Sequence, residues 1–328
     1  MEAASHGFKI KRKETAMEQT KRGKVVVTGS FITDIAVFTS RFPADGETVP
    51  GRSIQFGPGG KGSNQATAAS RAGAEVIMIT KIGTDFMGEI ARTHYKNENM
   101  TQKYVYTQEG GETGSAIIEI NAETAENRII VLKGANDALT KEEIDQAEAE
   151  FQECDVLLTQ LEASQISVTE SIRLARRYGK TVVLNPAPAG EIDEALFGEI
   201  DYFTPNETEA EFYTGIRVTD EQTAERAVDR LLDKGVKNVI ITLGKIGVYA
   251  KTKEFQGIVP AFRVKAVDTT GAGDAFNGGF CAALAEGKSV RDAVLFANAL
   301  AALSVTRRGT SPAMPYRGKI EKMLKGEC

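Results

Sequence analysis

Val156-Leu-Leu-Thr159, followed by Val168-Thr-Glu-Ser-Ile-Arg-Leu-Ala-Arg-Arg177 and then Gly179-Lys-Thr-Val-Val-Leu184, is the stretch that decides the fold. The first and last pieces are short apolar runs, the mark of strands buried on both faces. The piece between them reads as an amphipathic helix closed by Gly179. Working outward, the same unit recurs. Lys141–Gln152 is expected to form a helix leading into strand Val156–Thr159, and helix Glu221–Asp233, closed by Gly235, leads into strand Asn238–Leu243. Upstream, Val25–Gly29 and Val76–Thr80 read as buried strands, with Asn64–Ala72 and Met87–Asn99 as helices. This alternation predicts an α/β fold: a doubly wound, mostly parallel sheet covered by helices on both faces. Ligands in such sheets sit at the carboxyl ends of the strands.

Two regions break the rhythm. Within Tyr104–Lys133, Ala116–Ile120 and Arg128–Leu132 flank a polar turn at 122–126, which is a hairpin pattern. A small β-sheet lid is therefore expected from about residues 31–56 and 104–133, with Tyr104 and Tyr106 on its strand. The last third holds a hairpin-like Val248–Val267 and helices near Asp274–Glu286 and Val290–Thr306, the latter capped by Ser289 with Asp292. One α/β domain over 24–328 is expected, preceded by a polar, basic extension at 1–23 that reads as disordered.

Composition narrows the chemistry. The 328 residues carry a formal net charge of -5, so general attraction to nucleic acid or to an anionic membrane is not expected. No run approaches the roughly 20 apolar residues needed to span a bilayer, and the N-terminus has no apolar core of the secretory kind. The three cysteines, Cys154, Cys281 and Cys328, are odd in number and far apart, which excludes a zinc ribbon and argues for a reducing, cytoplasmic compartment. Cys154 and Cys281 read as small core residues. With only His6 and His94 available, histidine triads and two-histidine metal sites lack raw material. His94 reads as a solvated residue on a polar helix face. A general base must then be a carboxylate, lysine or tyrosine.

Three motifs carry chemistry. Asp268-Thr-Thr-Gly-Ala-Gly-Asp274 follows the β-like Ala261–Val267 and opens a helix. Gly271, Ala272 and Gly273 can aim backbone N–H groups at one anion, where the helix dipole is positive. Asp274, read as the first helical residue, is then placed to take a proton from a hydroxyl attacking a phosphoryl group. Gly57-Pro-Gly-Gly-Lys-Gly-Ser-Asn64 lacks the glycine spacing of a Walker A loop and does not open the first βαβ unit. Its close backbone approach at Gly59 and Gly60, with Lys61 and Asn64 as donors, suits a polyhydroxylated ligand. In Thr204-Pro-Asn-Glu-Thr-Glu209, Asn206 and Glu209 share a helix face; they read both as a capping box and as a holder of Mg2+ through water.

The three motifs, in this order, resemble the signatures of the ribokinase, or PfkB, family of carbohydrate kinases, and the similarity runs from about Lys24 to the C-terminus. Gly46-Glu-Thr, Gly134-Ala-Asn, Gln160-Leu-Glu162 and Asn185-Pro-Ala-Pro188 place it nearest the ribose and 2-deoxyribose kinases of that family. The resemblance implies an ATP-dependent kinase acting on the 5-hydroxyl of D-ribose, 2-deoxy-D-ribose or both. Asp274 would be the base, with Gly271–Gly273 as the anion hole. Asp34, Gly60, Lys61, Asn64 and Glu162 would bind sugar hydroxyls. Asn206, Thr242, Gly244, Gly247 and Gly273 would contact ATP, with Asn298 near the adenine. Glu209 would hold Mg2+ through water, while Asp268, Thr270, Ser304, Arg307 and Gly309 would form a K+ loop. A homodimer through the β-lid is also implied.

The sequence departs from the family pattern at two places. Ile32 stands where ribose kinases carry an asparagine two residues before the sugar-binding aspartate. An isoleucine cannot pair with a hydroxyl, and an unpaired buried hydroxyl costs about 1–3 kcal/mol, so 2-deoxy-D-ribose is expected to be a good substrate. Ala313 replaces a hydroxyl near the cation loop and puts the strength of K+ activation in question. The alternatives are a family kinase for adenosine or a hexose, and a non-catalytic sugar sensor.

Overall fold

In the computed structural model, which describes residues 22–124 and 126–327, strand β1 (Lys24–Thr28) runs between two parallel neighbours, and Val25, Val26 and Val27 are wholly buried. A strand covered by helices on both faces must be apolar throughout. After it come β2 (Ile32–Thr39), β3 (Gly51–Gly59), α1 (Lys61–Ala72), β4 (Glu75–Gly83), α2 (Phe86–Asn97), β5 (Val105–Gln108), β6 (Ser115–Asn121) and β7 (Asn127–Leu132). The middle holds α3 (Lys141–Asp145), α4 (Glu148–Glu153), β8 (Val156–Gln160), α5 (Gln165–Arg177), β9 (Thr181–Asn185), β10 (Tyr202–Phe203), α6 (Glu207–Thr214) and α7 (Glu221–Asp233). The chain closes with β11 (Asn238–Thr242), β12 (Gly247–Lys251), β13 (Gln256–Pro260), α8 (Ala272–Ala285), α9 (Val290–Ser304) and α10 (Arg317–Leu324).

The large sheet has the order β13-β12-β11-β10-β9-β8-β1-β4-β5 and is parallel from β5 to β11. At one edge β12 pairs antiparallel with both β11 and β13, so it alone runs against the other strands. Side-chain alternation divides its apolar residues between two cores. Val25, Val27, Val76 and Met78 join α1, α8 and α9, while Val26, Ile77, Ile79 and Leu157 join α5 and α7. A second sheet, β3-β2-β6-β7, forms the lid. The expected doubly wound sheet with a small β-lid is what the chain builds.

Several expectations need correction. Val105–Gln108 pairs in parallel with β4, so this part of 104–133 belongs to the large sheet and not to the lid. The reason is packing: Tyr104 is buried and donates to Glu150 at 3.0 Å, and the Tyr106 hydroxyl donates to the Glu143 carbonyl at 2.7 Å, tying the edge strand to α3 and α4. The helix expected over Lys141–Gln152 is broken into α3 and α4, with Ile144, Ala147 and Phe151 all buried in one core. Residues 261–267 form no strand; the N–H groups of Val267 and Asp268 turn instead to the Val305 carbonyl. His94 is buried rather than solvated, with Nε2 2.9 Å from Thr67 Oγ1, and burial pushes its pKa down to about 4. Cys154 and Cys281 are buried, as expected.

Residues 22 and 23 are tied to the fold. Arg22 donates to the carbonyls of Gly73 and Ala74, and the Gly23 carbonyl accepts from Glu75 N–H. The remainder of the expected extension, 1–21, lies outside the described residues. No helix among the described residues is long and apolar enough to cross a membrane.

What positions the site is the contact of α1 with α8. Gly278 on α8 faces the Gln65 carbonyl, and a Cβ there would stand 2.6 Å from Ala68 Cβ and 2.9 Å from Ala69 N. Gly278→Val should therefore push the helices apart and destabilise the protein by about 1–3 kcal/mol. Urea unfolding checks this, and turnover should fall with it because α1 and α8 both carry site residues.

Candidate active site

The site begins where β1 ends. Gly60 enters α1 with φ of 83°, and a Cβ there would lie 2.6 Å from Ile32 N, so no larger residue fits. This close passage puts the first N–H of α1 near Glu162, just beyond β8: Lys61 N donates to Glu162 Oε2 at 2.8 Å and Ser30 Oγ donates to the same oxygen at 2.6 Å. Asp34 enters from the lid strand β2, opposite Gly57. Its Oδ2 lies 3.3 Å from Thr310 Oγ1, which is 3.1 Å from the Pro58 carbonyl. Burial, helped by the charges of Glu162 and Asp274 and opposed by Thr310, raises the Asp34 pKa to about 6.

Asp274 occupies the third position of α8, not the first, because Gly271 is the N-cap. Its Oδ2 accepts from Asn64 Nδ2 at 3.0 Å and its Oδ1 from Gln65 Nε2 at 2.9 Å. Burial raises its pKa; Lys61 and these two amides oppose the rise, and Glu162 adds to it. Lys61 loses hydration by burial, yet the carboxylates of Asp274, Glu162 and Glu209 outweigh that and raise its pKa. No side chain caps α8, which leaves its first turn open to an anion. Of the residues expected to form the anion hole, Ala272 already gives its N–H to the Thr269 carbonyl at 3.2 Å.

Of the residues expected to contact a nucleotide, Asn206 and Thr242 meet near the ends of β10 and β11. Asn206 and Thr242 pair as an isolated bridge, and Thr242 N–H donates to the Pro205 carbonyl at 3.0 Å. Asn206 and Glu209 form the expected capping box at the start of α6. Glu209 Oε2 accepts from Asn206 N–H at 2.9 Å and Oε1 from Asn206 Nδ2 at 3.1 Å; burial raises its pKa. Gly244 opens the turn after β11, whereas Gly247 lies inside β12 against the Val259 carbonyl. Asn298 spends its amide on the carbonyls of Val259 and Pro260, at 3.1 and 3.2 Å.

The candidate cation loop brings two segments together. Asp268 accepts from Thr270 N–H at 3.0 Å and from Gly309 N–H at 2.9 Å. Ser304 is buried with its hydroxyl donating to Ala301, and Arg307 N–H donates to the Ser304 carbonyl at 3.3 Å. Sequence reasoning missed Gln65, Gln160, Asn185 and Ser311. Asn185 and Gln160 drew notice only as parts of family motifs, and Gln65 stands next to a signature residue. Ser311 carried no signal; only the fold brings its hydroxyl within 2.7 Å of Asn64 Oδ1.

A family model described as pfkB family carbohydrate kinase matches residues 22–317. The chain is 41% identical to the Haemophilus influenzae ribokinase over 93% of its length and 99% of that protein. It is 38% identical to the Salmonella typhi deoxyribokinase, covering 89% of the chain and 95% of that protein. The structure of Arabidopsis thaliana ribokinase complexed with ribose and ATP superposes with a TM-score of 0.86 at 30% identity, over 93% and 99% of the two chains.

The raised pKa of Asp34 has a stability consequence. A carboxyl held more tightly by its proton in the folded state favours folding below its unfolded pKa and loses that contribution as pH rises through about 6. Asp34→Asn should therefore stabilise the protein at pH 8 by up to about 3 kcal/mol, with little effect at pH 4. Thermal unfolding across this range checks it; equal stability of the two proteins at pH 8 would contradict it.

Proposed function

The chain belongs to the pfkB family of carbohydrate kinases, and on that premise we propose that it uses ATP to phosphorylate the 5-hydroxyl of D-ribose, 2-deoxy-D-ribose or both. The observation that carries this reading is the buried carboxylate of Asp274, held by Asn64 and Gln65 at the open first turn of α8. Asp274 takes the proton of the sugar hydroxyl as that oxygen attacks the γ-phosphorus in line. Gly271 and Gly273 N–H groups, with Lys61, stabilise the charge that develops on the transferred group. Asp34, Glu162 and Asn64 orient the sugar through its other hydroxyls. Lid closure excludes water, which would otherwise compete as nucleophile. Asn206, Thr242 and Gly244 sit where the nucleotide would lie.

The described residues hold no cluster of three or more His, Cys, Asp or Glu suited to a metal ion. Both oxygens of Glu209 already accept from Asn206. This donor set fits a Mg2+ that arrives with the nucleotide and meets Glu209 through water, rather than an all-protein site. It would neutralise phosphate charge. The oxygen-rich loop of Asp268, Thr270, Ser304, Arg307 and Gly309 fits K+, which would stiffen the segment leading into α8. A cytoplasmic homodimer completes the reading. Its support is the apolar surface left on the lid, where Ile54 is 56% exposed and Ile130 64% exposed.

Ile32 refines the substrate. It is 3% exposed and belongs to neither core, and it pairs with Gly59 in the lid, next to the sugar-binding Gly60. An apolar side chain there favours a sugar lacking one hydroxyl. A coupled ADP-release assay with D-ribose and 2-deoxy-D-ribose should give the deoxy sugar the higher kcat/KM. Ile32→Asn should shift that ratio toward ribose by about tenfold. A parent enzyme that strongly prefers ribose would refute the role of Ile32, and no turnover on either sugar would refute the pentose reading.

A further inference from the structure

Behind Asp274 runs a chain of buried amides whose polarity is set by the backbone. The Thr204 carbonyl can only accept, so Asn185 must present Nδ2 to it, at 2.9 Å. Asn185 Oδ1 is thereby turned to Gln65, whose Nε2 donates to it at 2.9 Å and to Asp274 Oδ1 at the same distance. The other end of Gln65 meets Gln160, whose Nε2 donates to its Oε1 at 2.8 Å; Gln160 Oε1 has no hydrogen-bond partner, so Gln160 can turn together with Gln65 and does not set its polarity. Asn185, Gln65 and Gln160 are all buried, so water does not replace any of these partners without opening the core. Thr204 also braces α8 directly: its hydroxyl donates to Asn277 Oδ1 at 2.6 Å, and Asn277 Nδ2 donates to the Gly273 carbonyl at 2.9 Å.

We propose that Asn185, which does not touch Asp274, is a positioning residue that locks the Gln65 amide with its N–H toward the base and so keeps Asp274 ionised. The inference rests on Asp274 being the base. Without Asn185, Gln65 is free to turn its carbonyl toward the carboxylate, which repels the ionised form and accepts a hydrogen bond from the protonated one. The other charged groups acting on Asp274 are Lys61, which favours ionisation, and Glu162, Asp34 and Glu209, which oppose it. None of these is altered by changing Asn185, so the effect of a substitution can be read against a constant background.

The test is the pH profile of kcat for Asn185→Leu with MgATP and the better pentose. Loss of one charge-assisted hydrogen bond should move the acid limb upward by roughly one to two pH units. Activity should be lost mainly at low pH and largely recovered at high pH, with the sugar KM little changed. Gln65→Met, of similar volume and without the donor, should move the limb in the same direction. A folded Asn185→Leu enzyme with an unmoved acid limb would overturn the proposal, as would uniform loss at every pH. If circular dichroism shows that Asn185→Leu does not fold, Gln65→Met decides by the same criterion. Asp274→Asn, measured in parallel, separates the two levels: retained turnover there would sink the assignment of the base itself, whatever Asn185 does.

Discussion

A carboxylate buried at the start of a helix must be stabilised from all sides or it will take up a proton. Asp274 is in that position, and much of the molecule can be understood as the apparatus that lets it remain charged. Asn64 and Gln65 are adjacent on α1, so one helix supplies a donor to each carboxylate oxygen. That grip requires α1 and α8 to lie close, which the bare backbone of Gly278 permits. The parallel sheet in turn sets the two helices side by side over one core, with their first turns at the carboxyl ends of the strands.

The electrostatics of the site are lopsided. Four carboxylates, Asp34, Glu162, Glu209 and Asp274, act on the neighbourhood of a single lysine, Lys61. Such a pocket welcomes hydroxyl groups, which can donate to the carboxylates, and it repels a bare polyanion. On the proposed reading, a nucleotide would enter with its charge neutralised by a cation and met by the first turn of α8. On that reading, the hydroxyl-rich substrate would lie beneath the lid and the nucleotide along β10 and β11.

The large sheet was legible because buried parallel strands are continuous apolar runs and amphipathic helices separate them. The lid hairpin β6–β7 was legible for a similar local reason. What misled was tertiary. The strand Val105–Gln108 has the same β-rich composition as the lid, and only the anchoring of Tyr104 and Tyr106 to α4 and α3 decides which sheet it joins. His94 looked solvated on its own helix but is covered by α1 through Thr67. Within the candidate site, the residues that stand in motifs of their own drew notice from the sequence. Gln65, Asn185, Gln160 and Ser311 act only on one another or on motif residues across long sequence separations, and no local pattern announces such contacts.

The measurement that tests the central claim most directly is NMR of the reaction mixture formed from ATP and D-ribose or 2-deoxy-D-ribose labelled with carbon-13 at C5. The account predicts a phosphate ester whose phosphorus couples to the labelled carbon, formed in step with ADP. Release of inorganic phosphate alone, or a phosphate carried on another carbon of the sugar, would contradict it.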